Sequence, residues 1–74
     1  MDKKIFLLDK DHYTKDQVQN LTENDLEKWV SEEDYNDNCT ILKIDANGYD
    51  TPEEALKCEG ILYPEDYYQF NFGF

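Results

Sequence analysis

Apolar and polar positions along the chain change their spacing several times, and each change predicts an element. Lys3 to Leu8 reads Lys-Lys-Ile-Phe-Leu-Leu, a short apolar run bounded by charge, which is the pattern of a central strand covered on at least one face. After a loop from Asp9 to Tyr13, Thr14-Lys-Asp-Gln forms a capping box, with Tyr13 and Val18 placed as a hydrophobic staple across it. A short helix is predicted from Lys15 to about Asn20. The same signal recurs in Thr22-Glu-Asn-Asp, where Asp stands at the third helical position and Leu21 and Leu26 supply the staple. The second helix then covers roughly Glu23 to Glu32. Its Leu26, Trp29 and Val30 recur at i, i+3 and i+4 as one narrow apolar stripe toward the core.

Glu33 to Asn38 is polar and turn-rich, and Cys39-Thr-Ile-Leu-Lys-Ile-Asp45 returns to β-branched and apolar residues, predicting a second strand. Ala46-Asn47-Gly48 is a turn. Thr51-Pro52-Glu53-Glu54 opens a third, two-turn helix with Pro at its first position, Ala55 and Leu56 inward, and Gly60 at its exit. Pro64-Glu-Asp66 turns the chain into a last strand, Tyr67 to about Phe72. Alternation there puts Tyr68, Phe70 and Phe72, and Phe74 if it continues that far, on a core face and Tyr67, Gln69 and Asn71 on the other. The expected fold is α/β or α+β in the order β-α-α-β-α-β: a three-stranded sheet packed with short helices. Strands 1 and 2 are expected to be parallel through a right-handed crossover, with strand 3 at an edge in either direction.

Length and charge narrow the classes of function. A chain of 74 residues is one small domain, residues 1–74, and a domain of this size buries only about 60% of the surface its unfolded chain exposes. Deep substrate cavities are not expected. Eighteen acids against seven lysines give a net charge of −11. The imbalance begins after Lys15: residues 1–15 carry four Lys and three Asp, and the remainder fifteen acids and three Lys. Without Arg and with few Lys, the chain has little with which to neutralise phosphates, so direct nucleic-acid binding is not expected. At 39% apolar and 15% aromatic the chain is nevertheless predicted to fold. The longest apolar run is too short to span a membrane, which predicts a cytosolic protein with two reduced thiols, Cys39 and Cys58.

Chemistry-bearing motifs are sparse. Phe6-Leu-Leu-Asp9-Lys-Asp11 resembles the nucleophile strand of haloacid-dehalogenase-type phosphatases and the acidic strand end of two-component receiver domains. Thr14 falls one residue late for the first, and neither fold fits in this length. Asp45-Ala-Asn47-Gly48-Tyr-Asp50 resembles the start of an EF-hand loop, but its Gly stands at position four. A weak cation site at Asp9, Asp11, Asp45 and Asp50 would require strands 1 and 2 to be adjacent and parallel. A hydrolytic constellation would need a nucleophile and an orienting group around His12, the one histidine, which reads instead as a solvated loop residue. Among the aromatic residues, Tyr35 and Tyr49 are the freest to serve as interface anchors. The opening Lys-Lys-Ile-Phe-Leu-Leu-Asp, the middle Asn-Gly-Tyr-Asp-Thr-Pro-Glu-Glu-Ala and the tyrosine-rich closing strand resemble short acidic uncharacterised proteins of Bacteroides-type gut bacteria. That resemblance implies a bacterial protein and brings no activity with it.

These readings predict a non-enzymatic protein–protein interaction module, without cofactor or metal and away from membranes, existing as a monomer or weak dimer. Its expected partner is a protein with a basic surface. The expected contact surface is the outward face of the second helix and the segment after it, Glu23, Glu27, Glu32, Glu33, Asp34 and Asp37. An alternative is a DNA mimic that occupies a nucleic-acid-binding protein. A compact domain of this size spans about 29 Å, a length over which duplex DNA carries roughly 17 phosphates. Mimicry needs most of the charge in two rows on one face, and the acids here are dispersed along the chain.

Overall fold

In the computed structural model, which describes residues 2–36 and 40–74 and only the backbone of residues 33–36, the predicted elements appear in the predicted order. They are β1 (Lys4–Asp9), α1 (Lys15–Val18), α2 (Glu23–Asn36), β2 (Ile41–Asp45), α3 (Pro52–Cys58) and β3 (Tyr67–Phe72), with a single 3-10 turn, Pro64–Asp66, before β3. Three strands and short helices make a small α+β domain, 30 × 26 × 24 Å along its principal axes.

The sheet order is β2-β1-β3, and β1 pairs antiparallel with both neighbours. The expected parallel pairing of strands 1 and 2 is therefore corrected, and the reason lies in residues 10–22. The chain leaves β1 at Asp9 and must return to the start of β1 before α2 begins, because Glu23, the first residue of α2, ion-pairs with Lys4, the first residue of β1. Helix α1 stops after four residues, and Asn20 takes a left-handed turn at φ 65°. Fourteen helical residues at about 1.5 Å each give α2 a length of about 21 Å, matching six strand residues at about 3.3 Å. It runs back along β1 and delivers the chain to Thr40, whose carbonyl accepts the Asp9 N–H. Two passes instead of one reverse the direction of β2. The parallel pair is β2 and β3, joined through α3 and separated by β1.

Both faces of β1 are covered, and Ile5, Phe6, Leu7 and Leu8 are all fully buried. On one face Phe6, Leu8 and Ile41 pack with Val18 and Leu26, bordered by Tyr13, Leu21, Trp29, Val30, Tyr68, Phe70 and Phe72. On the other, Ile5, Leu7 and Ile44 pack with Ala46, Ala55 and Leu56. Alternation in β3 places Tyr68, Phe70 and Phe72 as the sequence predicts, although all three remain partly exposed, whereas Phe74 lies beyond the strand and is exposed rather than in the core. Phe6 and Phe72 meet edge to face at 5.7 Å, and Tyr13 stacks on Trp29 at 5.8 Å.

Candidate interaction surface

The α2 surface begins with its cap. Thr22 Oγ1 accepts the Asp25 N–H at 3.2 Å and the Asp25 carboxylate accepts the Thr22 N–H at 3.1 Å, a reciprocal box. These bonds to Thr22 hold the Asp25 carboxyl below its ordinary pKa. Leu26 is fully buried from this helix, while Trp29 and Val30 are half-buried beside it. Glu23 and Glu27 lie one turn apart along the border of that stripe, where they face the sheet. Lys4 Nζ sits 2.6 Å from Glu23 and 2.9 Å from Glu27, and Lys43 Nζ lies 2.9 Å from Glu27. Lys4 and Lys43 project from adjacent strands on the face of Phe6 and Leu8, so the two ammonium groups reach up beside the core to the helix.

This geometry corrects the expected orientation of two residues: Glu23 and Glu27 do not belong to a wholly outward acidic face. Each has a lysine partner from the sheet, and the electrostatics follow. Hydrogen bonds to Glu23 and then Glu27 raise the Lys4 pKa, and bonds from Lys4 and then Lys43 lower that of Glu27. A helical wheel cannot reveal this, because the partners come from strands distant in sequence. The available signal was that Lys4 and Lys43 fall on the same alternate face of their strands as the residues that meet α2.

Among the described side chains, the outward side of α2 carries Asn24, Asp25, Lys28, Ser31 and Glu32, all exposed. The helix extends four residues beyond its expected end, which places Glu33 and Asp34 in its last turns together with Glu32. No basic residue occupies the last turn. Asp37 and Cys39 lie outside the described residues, as do the side chains of Glu33, Asp34 and Tyr35.

The other candidate groups do not converge. Antiparallel pairing sends Asp9 and Asp45 to opposite ends of the sheet: Asp9 pairs with Tyr67, and Asp45 with Lys4. The cation site that required parallel strands is thereby removed, and among the described residues no group of three acid, His or Cys side chains is placed to hold a metal. Asp9 serves its own loop, accepting the Asp11 N–H at 2.8 Å and lying 3.2 Å from His12 Nδ1, which is exposed. An open hollow of about 320 Å³ beside it is lined by Asp9, Lys10, Asp11, Asp66 and Tyr67. Asp45 caps the next turn through the Asn47 N–H, and Gly48 supplies the positive φ of 96° that this turn needs. Tyr49 is not a free anchor. It packs against the core, its carbonyl accepts Lys3 Nζ at 2.8 Å, and a bond with Cys58 raises its hydroxyl pKa. Cys58 is an exposed free thiol.

No helix among the described residues is long and apolar enough to cross a membrane. In comparison with protein-family models, curated proteins and solved structures, none matches this chain.

Proposed function

We propose that this chain is a non-enzymatic, cytosolic interaction module that meets a basic protein surface through the acidic end of α2, with Glu32, Glu33, Asp34 and Asp37 as contacts. Glu23 and Glu27 fix the helix to the sheet in this reading and leave the contact set. The observation that carries it is the charge arrangement of the last two turns of α2. Three successive acids stand there, and the last turn has no basic residue. The C-terminal end of a helix carries the negative pole of its dipole, where each cation contributes typically 0.3–1 kcal/mol and an anion opposes the helix. A surface shaped for stability alone would place lysine there. A basic partner complements both the carboxylates and the negative pole of the helix, and long-range attraction speeds its approach.

The test is the triple variant E32K/E33K/D34K, compared with the wild-type chain as bait in the native host. The wild-type chain should capture a basic protein that salt releases. The variant should keep the far-UV spectrum, gain thermal stability from the corrected helix end, and bind that protein with a slower association rate. Capture and association unchanged in the variant would overturn the proposal.

A further inference from the structure

The two edges of the sheet are protected unequally. Edge strands expose unpaired backbone groups, and proteins usually guard them with charge, proline or bulges. The β2 edge carries Lys43 and Asp45, with Glu27 over Lys43. Strand β3, Tyr-Tyr-Gln-Phe-Asn-Phe, has neither charge nor proline in any of its six residues, in a chain of net charge −11.

Hydrogen bonding identifies which groups β3 leaves open. Lys10 N–H donates to the Asp66 carbonyl, whereas Asp9 N–H donates to Thr40 and Ala46 N–H to the Lys3 carbonyl. Antiparallel ladders alternate, so the even-numbered residues of β1 bond to β3 and the odd-numbered ones to β2. By the observed register Tyr68, Phe70 and Phe72 therefore bond inward to β1, and Tyr67, Gln69 and Asn71 turn their backbone groups away from the sheet. Tyr67 N–H is already bonded to the Pro64 carbonyl. The N–H and C=O of both Gln69 and Asn71 are left pointing outward.

We propose that β3 pairs antiparallel with β3 of a second copy of this chain, joining two three-stranded sheets into one of six strands about a two-fold axis at Phe70. This register opposes Gln69 to the second copy's Asn71 and the reverse, so all four outward groups of each copy find partners. It places Phe70 against Phe70, and Tyr68 against Phe72, on the face where all three rings are only partly covered within one chain. Aromatic pairs at such non-hydrogen-bonded positions approach closely and stabilise the sheet. The six paired residues carry no charge, so the seam itself brings no like charges together.

The dimer is independent of the basic partner proposed above, and salt separates the two. Two bodies of charge −11 repel, so raising salt to about 0.5 M, where the Debye length is only a few ångströms, should strengthen the dimer while weakening a basic partner's binding. Sedimentation of the full chain across concentration and salt should show a reversible species of twice the chain mass. Amide exchange at Gln69 and Asn71 should slow as concentration rises. The exposed double variant Q69K/N71K sets like charges opposite one another and should be monomeric, as should Q69E/N71E, whereas an equimolar mixture of the two should recover the dimer. A wild-type chain that stays monomeric throughout, a dimer that exchanges Gln69 and Asn71 amides at the monomer rate, or a Q69K/N71K chain that still dimerises would overturn the proposal.

Discussion

Lys4, at the start of the central strand, and Glu27, one turn into α2, meet at 2.9 Å and bind the helix to the sheet beside its apolar stripe. Because the Glu27 carboxyl has a folded-state pKa below its ordinary value of 4.5, the stabilisation it provides is fully present above that value. It is lost as pH falls through the lowered folded value. Self-repulsion of the net negative chain relaxes over the same range, so the contribution is isolated by difference. Wild type should be more stable than E27Q at neutral pH, and the gap between their denaturation midpoints should close on acidification below about pH 4.5. A gap independent of pH would show that the ion pairs do not hold α2 in place.

The start of α2 offers a second measurement. Removing the Thr22 hydroxyl in T22A takes away the acceptor of the Asp25 N–H and one of the bonds that lower the Asp25 pKa. Loss of such a cap costs about 1 kcal/mol of stability. Carboxyl titration by NMR should show Asp25 moving upward toward its ordinary value of 3.8 in the same variant. An Asp25 titration that does not move would remove the box from the account of this helix end.

Gly73 tests the junction beyond β3. Its φ is +87°, and a Cβ at this position would run into the Asp2 carbonyl and approach Lys3 Cα at 3.0 Å. A left-handed conformation alone costs an L-residue roughly 1–2 kcal/mol. G73A should therefore lower stability by at least that amount in chemical denaturation, with the backbone clash adding to it. An unchanged midpoint would mean that the chain end rearranges freely.

Local chemistry was legible in the sequence wherever neighbours close along the chain determine it. Thr14 and Thr22 cap the helices they were expected to cap, and the alternation of Tyr68, Phe70 and Phe72 gave the inward face of β3. Strand direction was not legible, because it depends on whether residues 10–22 make a full return pass, and a four-residue helix ended by the turn at Asn20 resembles an ordinary connection in sequence. The orientation of Glu23 and Glu27 was lost for the same reason. Their partners Lys4 and Lys43 are set beside them only once β1 and β2 are antiparallel. The open backbone of Gln69 and Asn71 likewise follows from register, which composition does not specify.

Placing the first strand at the centre of the sheet has a kinetic consequence. Lys4 pairs with Phe72, near the opposite end of the chain, and with Asp45, so no two neighbouring strands are joined by a hairpin. Every pairing of this sheet closes a long loop before any ladder bond offsets its entropy, which gives a small protein a high contact order. During synthesis, β1 emerges first and must wait for residues 67–72 before both its sides are covered, leaving Ile5, Phe6, Leu7 and Leu8 without their full shelter until then. All fifteen acids that follow Lys15 precede β3 in the chain, so the incomplete domain already carries a large net negative charge, which opposes association while β1 waits.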